Sequence, residues 1–253
     1  MEISLAPEII FSLGNFPITN TLLVTFFLSL FIILFSIILR SKLTLIPRGV
    51  QNIFESIVEA FLNLIDGVTQ DRKQTKKFFS IIMTIFIFVI LSNWVELVPG
   101  LGTIGINEEV HGKTILVPFL RSASADLNVT LAIALIAVFS VQFMGVATIG
   151  FFKYVGKFFV NPFKKPFYVV GTFVGLLEIV GEMAKVVSFS FRLFGNIFAG
   201  EVLLIVMLNL VPFFVPLPFL FLELFVGFIQ ALVFSMLTLV FLKMAVTEHY
   251  QAG

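Results

Sequence analysis

The sequence has no cysteine and few charged residues. Without cysteine it forms no disulfide bonds and carries no thiol chemistry. Charged residues make up only 12% of its 253 residues, whereas a soluble domain has roughly 25%. Hydrophobic residues make up 59%, and the mean hydropathy is +1.10. This composition excludes an ordinary soluble domain and predicts an integral membrane protein.

Signatures of catalysis and of ligand binding are also missing. The two histidines, His111 and His249, lie far apart and without metal-ligand spacing. There is no glycine-rich nucleotide loop, no nucleophile elbow and no basic patch for nucleic acid. Residues 1–19 lack the basic region of a signal peptide or an organelle presequence. We therefore expect no metal, no cofactor, no nucleic-acid partner and no enzyme activity of the chain alone.

Apolar stretches long enough to cross a bilayer dominate the chain. About 20 helical residues span the roughly 30 Å of hydrocarbon. The sequence predicts an all-α integral membrane protein that forms one domain over residues 1–253. It shows no internal repeat, which disfavours a transporter built from duplicated halves. The five predicted crossings are 20–40, 78–98, 127–152, 167–211 and 219–244.

Residues 48–68 have the pattern of a helix at the membrane surface. Apolar residues recur at helical spacing along one side, while Gln51, Glu55 and Glu59 lie on the other. Such a helix lies in the interface rather than crossing the bilayer.

The distribution of basic residues predicts the orientation. Segments 40–77 and 153–165 hold eleven of the sixteen lysines and arginines, whereas the loop 99–126 holds two. The positive-inside rule places the first two segments in the cytoplasm and the loop outside. We therefore expect an external amino terminus and a cytoplasmic carboxyl terminus.

The run 167–211 contains 45 residues without a polar loop. As one helix it would measure about 67 Å, over twice the thickness of the hydrocarbon. It forms either two crossings or one steeply tilted helix, and the lack of a turn signature favours the single helix. We expect this helix to fold back against 219–244 about the proline-rich segment 211–218, which gives a long hairpin.

Polar residues of the two hairpin helices match in depth when they are counted back from the break. The predicted pairs are Glu201 with Glu223, Arg192 with Gln230, and Glu178 with Lys243. Unpaired polar groups are costly in hydrocarbon, so this match predicts a polar path between the helices. We expect no cation at the depth of Glu201 and Glu223, and two facing carboxylates of this kind can share a proton.

Helical phase divides this path into two parts. Glu178, Lys185 and Arg192 are spaced by seven residues and share a stripe, with Glu182 beside it. Glu201 projects to the opposite side, so the pattern favours two offset half-paths separated by a permanent positive charge. Structural pairing of Glu182 with Lys185, and of Glu178 with Lys243, is the alternative.

Four further polar residues lie at the predicted outer ends of two other crossings. They are Asn93, Glu96, Asp126 and Asn128. They could line an outer entrance, although helix capping and solvation at the interface are the more common roles of such residues.

Several motifs together resemble subunit a of the F-type ATP synthase. The most specific is Arg192-Leu193-Phe194-Gly195-Asn196, followed by Ala199-Gly200-Glu201. The segments 93–99, 125–130 and 230–234 also resemble that family, so the likeness covers nearly the whole chain. It implies a non-nucleotide-binding stator subunit that provides two half-channels to a ring of c subunits and couples proton flow to rotation. A free-standing ion channel or secondary transporter is the alternative function.

The resemblance also implies a role for each site residue. Arg192 would be the essential charge facing the carboxylate of the ring. The outer path would contain Glu201, Glu223, Asn196 and Gln230, and the inner path Glu178, Glu182, Lys185 and Ser188. Peripheral-stalk subunits of the b type would lie near the surface helix. The location would be the bacterial inner membrane, in preference to the mitochondrial one. In one departure, Glu223 stands where many bacterial relatives have histidine.

Overall fold

The computed structural model describes residues 7–14, 16–44, 49–98, 104–110, 113–158, 168–211 and 214–247. Most of these residues are helical. The helices are α1 (Asn20–Ser41), α2 (Val50–Thr69), α3 (Arg72–Val95), α4 (Leu127–Ile149), α5 (Phe151–Phe158), α6 (Tyr168–Leu210) and α7 (Pro216–Thr247). Within these ranges five helices, α1, α3, α4, α6 and α7, are long and apolar enough to cross a membrane. The predicted all-α membrane fold is confirmed.

Two short antiparallel hairpins lie outside the helices, and neither was predicted. One pairs β1 (Ile9–Leu13) with β2 (Phe16–Thr19), and the other pairs β3 (Gly105–Val110) with β4 (Lys113–Pro118). The Asn20 side chain donates a 3.4 Å hydrogen bond to the backbone carbonyl of Pro118 at the end of β4. The start of α1 therefore contacts the second hairpin.

Side-chain caps explain where several helices begin. Thr19 accepts a hydrogen bond from the backbone of Leu22 at the start of α1, and Asp71 accepts one from the backbone of Lys73 at the start of α3. These caps satisfy backbone N–H groups that have no partner within the first turn. Helix α3 thus begins six residues before the predicted crossing at 78, because the basic run after Asp71 continues the same helix.

The helix predicted over 127–152 ends earlier, at Ile149. Gly150 has a backbone φ of +93°, which residues other than glycine rarely adopt. Helix α5 begins immediately after it. Periodicity alone gave no sign of this break, because the residues on both sides are apolar.

Helix α6 is a single continuous helix of 43 residues. At 1.5 Å per residue it measures about 65 Å, so it cannot stand upright within hydrocarbon about 30 Å thick. The alternative of two crossings in this run is therefore wrong. Residue 167 of the predicted run, residue 48 of the predicted surface helix and Pro212 of the predicted break lie outside the described residues.

The core lies among α3, α4, α6 and α7. Phe86 and Val89 of α3 pack with Leu193 of α6 and with Ala231 and Phe234 of α7. A second cluster joins α2 to the same bundle through Ile65, Phe78, Ile82, Leu239 and Leu242. Lipid tails are as apolar as these side chains, so close van der Waals packing rather than exclusion of water holds the helices together. Helix α7 is the central element because it packs against α2, α3, α4 and α6.

Candidate functional site

The register of α6 against α7 is set by one side-chain hydrogen bond and one close approach. Asn196 donates a 2.7 Å hydrogen bond to Gln230. The carboxyl of Glu223 lies directly against Gly200, where a methyl group would collide with it. Glu223 is thus level with the residue beside Glu201, close to the predicted pairing. Gln230 is bonded to Asn196, one helical turn from the predicted level of Arg192.

Arg192 lies on an open flank of this hairpin. Its side chain is partly exposed and donates a 3.2 Å hydrogen bond to Ser188, one turn away. Phe191 and Val187, at its side, are 56% and 53% exposed, and Gly195 has open space in front of it. Within the described ranges no carboxylate forms an ion pair with Arg192. A permanent cation thus sits on an apolar face that nothing in the described chain covers.

A buried ion pair lies at the level of Glu201. Arg121 donates to a carboxylate oxygen of Glu201 at 2.9 Å from Nη2 and at 3.3 Å from Nε. The two side chains are only 7% and 14% exposed. The expectation that Glu201 has no cation at its depth is wrong.

Sequence reasoning missed Arg121 because it lies in a loop, 80 residues before its partner. The short 3₁₀ turn Ala123–Ala125 that follows it is buried against α6, and this contact brings Arg121 to Glu201. One feature of the sequence could have indicated Arg121: with Lys113 it is one of only two lysines and arginines in the loop 99–126.

Two more carboxyl groups lie near this ion pair. Glu96 follows the last residue of α3, and Glu223 on α7 is 9% exposed. Burial raises the pKa of Glu96 to about 8; the negative charges of Glu201 and Glu223 act in the same direction, and Arg121 acts against them. We call Glu96, Arg121, Glu201 and Glu223 the outer cluster. It contains three carboxyl groups and one cation.

Asn93 and Trp94 join the end of α3 to α7. Asn93 donates a 3.0 Å hydrogen bond to the carbonyl of Gly227, and Trp94 donates a 3.1 Å bond to the carbonyl of Leu224. The Oδ1 atom of Asn93 and the Nε2 atom of Gln230 are buried, and neither has a hydrogen-bond partner in the part of the chain described. Buried polar atoms of this kind are places where water binds. They lie between the outer cluster and the level of Arg192.

Asp126 and Asn128 form different contacts from those of Asn93. One oxygen of Asp126 accepts a 2.8 Å hydrogen bond from the backbone of Asn128 and caps α4, and the other accepts a 2.7 Å bond from Thr21 of α1. Asp126 is buried and both its oxygens are used, whereas the side chain of Asn128 is exposed. This arrangement corresponds to the capping alternative for these two residues.

Three of the four predicted inner residues, Glu178, Glu182 and Lys185, line a cavity on the other side of Arg192, whereas Ser188 contacts Arg192 itself. Lys185 and Glu182 form a 2.7 Å ion pair, and the ammonium of Lys185 lies 4.5 Å from the ring centre of Phe241. The second carboxylate oxygen of Glu182 is buried without a hydrogen-bond partner among the residues described. The cavity holds about 150 Å³, and Glu178, Glu182, Lys185 and Tyr154 line it. It is large enough for several water molecules.

Lys243, which was predicted to lie level with Glu178, contacts α2 and α3. It donates to the backbone carbonyl of Thr69 at 2.6 Å and to the side chain of Gln74 at 3.3 Å. It therefore joins the end of α7 to α2 and α3. No group of His, Cys, Asp and Glu able to hold a metal ion occurs in the ranges that the structure describes.

Comparison with known proteins identifies the family. The sequence model of the family described as ATP synthase A chain matches residues 19–243. The chain is 34% identical over 224 residues to ATP synthase subunit a of Campylobacter concisus (strain 13826), which covers 87% of this chain and 88% of that protein. It is also 34% identical over 242 residues to ATP synthase subunit a of Helicobacter pylori (strain Shi470), with 94% and 96% coverage. This chain therefore belongs to the ATP synthase A chain family, the proton-translocating stator subunits of the F-type ATP synthase membrane sector.

Proposed function

We propose that Arg192 faces a proton-exchanging carboxyl group on a ring of c subunits. The observation that carries this proposal is the open flank around Arg192: a permanent cation on an apolar helix face, with no ion pair in the described chain. Charged side chains at membrane depth are costly unless they face a partner or a water-filled path. A neighbouring subunit that carries an acidic group past Arg192 supplies that partner. The apolar surface of the same subunit covers the exposed apolar face of α6.

The outer cluster and the inner cavity serve as two separate proton paths. Glu201 lies nine residues from Arg192 on α6, and Glu182 lies ten residues away in the other direction. These separations correspond to about 14 Å and 15 Å along the helix axis. A proton that enters by one path reaches the level of Arg192, where no other titratable side chain of the described residues on α6 between Lys185 and Glu201 leads on to the other path.

The charge of Arg192 prevents a direct leak and drives release at the ring. A guanidinium stays protonated at any accessible pH, so it repels a proton between the two paths. It also favours the ionised form of a ring carboxyl, which releases its proton into the inner path. A proton that crosses the membrane potential in this way yields about 2.3 kcal/mol per 100 mV. That energy becomes available for rotation because the proton has to travel with the ring.

The surroundings of the subunit follow from the same proposal. The charge asymmetry supports an external amino terminus and a cytoplasmic carboxyl terminus in a bacterial plasma membrane. Helix α2 exposes Ile53 and Ile57, which suits a position in the bilayer interface beside peripheral-stalk subunits of the b type. The alternative of a free-standing channel or secondary transporter does not account for the family to which the chain belongs.

The test uses membrane vesicles that contain the assembled complex with Arg192→Ala. We expect coupled, ATP-driven proton uptake to be lost and the passive leak of protons to increase. Arg72→Ala is the matched control, since Arg72 forms an exposed ion pair with Asp66 and belongs neither to the outer cluster nor to the lining of the inner cavity; it should leave both rates unchanged. Normal coupled uptake in Arg192→Ala, at normal levels of assembled complex, would contradict the proposal.

A further inference from the structure

We infer that Arg121 is a positioning residue of the outer path: it holds Glu201 as a carboxylate, so that Glu223 is the group that takes up and passes on the proton. This inference rests on the proposed function and names which carboxyl carries the proton. It also assigns a task to a loop arginine that no sequence motif indicates.

The first support is the geometry of the ion pair. Two N–H groups of Arg121 reach the same oxygen of Glu201, at 2.9 Å and 3.3 Å. Both side chains are almost entirely buried, at 7% and 14% exposure. In such a place, loss of one charge leaves the other without compensation, which is strongly unfavourable. Because arginine does not release its proton, Arg121 remains a cationic partner for the carboxylate of Glu201.

The second support is the charge balance around Glu223. Glu96, at the end of α3, lies within reach of the charges of Glu201, Arg121 and Glu223, and the carboxyl of Glu223 lies against Gly200, the residue beside Glu201. One cation thus serves three carboxyl groups, and Arg121 is bonded to Glu201. Glu223 is 9% exposed and forms no ion pair with any residue in the described ranges. A buried carboxyl beside other carboxyls and without its own cation binds a proton and shares it with its neighbours.

The third support is the direction of the remaining polar groups. Glu223 and Gln230 are spaced by seven residues on α7 and so share one face. Gly227 lies between them and accepts the hydrogen bond from Asn93. Asn93 Oδ1 and Gln230 Nε2, which are buried and have no hydrogen-bond partner among the residues that the structure describes, occur in this interval. Buried polar groups therefore lie between Glu223 and the level of Arg192, where water can bind and pass on a proton, whereas Glu201 is bonded to a cation.

The test compares five variants in vesicles that contain the assembled complex. The variants are Glu223→Gln, Glu201→Gln, Arg121→Gln, Arg121→Lys and the double variant Arg121→Gln/Glu201→Gln. The readout is the initial rate of ATP-driven proton uptake as a function of pH, normalised to assembled complex. Arg72→Gln is the matched control, because it breaks an exposed ion pair with Asp66 and should leave the rate unchanged.

The inference predicts a specific order of rates. Glu223→Gln should lower uptake by about a hundredfold or more, as expected for removal of a group that transfers protons. Glu201→Gln should also lower uptake, because the charge of Arg121 then favours the ionised form of Glu223. The double variant should recover uptake by about tenfold relative to Glu201→Gln, as expected for two residues coupled in one ion pair. Arg121→Lys, which keeps the cation, should stay closer to the unmodified protein than Arg121→Gln and keep its pH profile.

The opposite pattern would overturn the inference. If uptake persists in Glu223→Gln and disappears in the double variant, Glu201 carries the proton. Should the double variant fail to assemble, infrared spectra of Glu223→Asp and Glu201→Asp decide the question. The band of the protonated carboxyl that titrates should shift in Glu223→Asp; a shift in Glu201→Asp would again assign the proton to Glu201. Failure of the proposed function gives a different result from failure of this inference. If the proposed function is wrong, Arg192→Ala keeps coupled uptake, and this outcome does not depend on the results for the Glu223 and Glu201 variants.

Discussion

Asn196 donates a 2.7 Å hydrogen bond to Gln230, and this contact joins α6 to α7 one helical turn from Arg192. Gln230 is only 4% exposed, and its own amide nitrogen has no partner among the described residues. The bond therefore holds a buried donor one helical turn from the level of Arg192. It also fixes the rotation of one helix against the other, which decides which side chains line the path.

Replacement of Asn196 by alanine should weaken this hairpin. The substitution leaves the carbonyl oxygen of Gln230 buried without its donor, and hydrogen bonds between helices in membranes contribute about 1 kcal/mol. We expect faster proteolysis of the subunit on mild heating of the solubilised complex. Asn209→Ala is the matched control on the same helix, since Asn209 is exposed and its side chain donates a hydrogen bond to the backbone carbonyl of Ile205, within α6 itself. Equal sensitivity of the two variants would show that the Asn196 bond does not stabilise the hairpin.

The hairpin itself could be predicted from sequence, because the signals that form it are local. Hydrophobic length predicted the long helix, and α6 is continuous as expected. Depth counted back from the break placed Glu223 within one residue of its observed level beside Gly200. The same counting left Gln230 one turn away from its partner Asn196. Counting along two helices gives depth but not their rotation, and rotation depends on packing between side chains.

The contacts made by loops could not be predicted in this way. Arg121 reaches Glu201 across 80 residues of sequence, and no periodic pattern connects a loop residue with a helix so distant in the chain. The break after α4 was missed because one glycine with positive φ, Gly150, interrupts an otherwise uniform apolar run. The first feature is a tertiary contact, and the second is the conformation of a single backbone position. Hydrophobic periodicity reports on neither of them.

Gly200 should tolerate no side chain. Its backbone is in contact with the carboxyl of Glu223, and a methyl group there would overlap that carboxyl. We expect Gly200→Ala to displace Glu223 and to lower ATP-driven proton uptake, with a loss of stability of about 1–3 kcal/mol from overpacking. Uptake and the level of assembled complex are measured in the same vesicles.

The control for this substitution is Gly67→Ala in α2. Gly67 has open space where a side chain would begin, so alanine there should be neutral or should stabilise the helix slightly, since it has the higher helix propensity. If Gly200→Ala pumps as well as Gly67→Ala, the close approach of Glu223 to α6 is not needed for transport.

Glu96 should make the stability of the assembled subunit depend on pH. Its pKa is raised from 4.5 to about 8, first by burial and then by the charges of Glu201 and Glu223. Between these two values the folded chain keeps a proton that the unfolded chain has released. Stability therefore falls as the pH rises from 4.5 to about 8, and it levels off at higher pH.

Glu96→Gln separates this contribution from all others, because glutamine is neutral at every pH. We expect the melting temperature of the solubilised complex to fall less steeply with pH across this window in Glu96→Gln than in the unmodified protein. Glu55→Gln is the matched control, since Glu55 lies exposed on α2 and its replacement should keep the original slope. An unchanged slope in Glu96→Gln would mean that Glu96 is ionised throughout the window. The single cation of the outer cluster, Arg121, would then have to balance the negative charges of both Glu96 and Glu201. Such a cluster favours a protonated Glu223, because a third negative charge would have no cation to balance it.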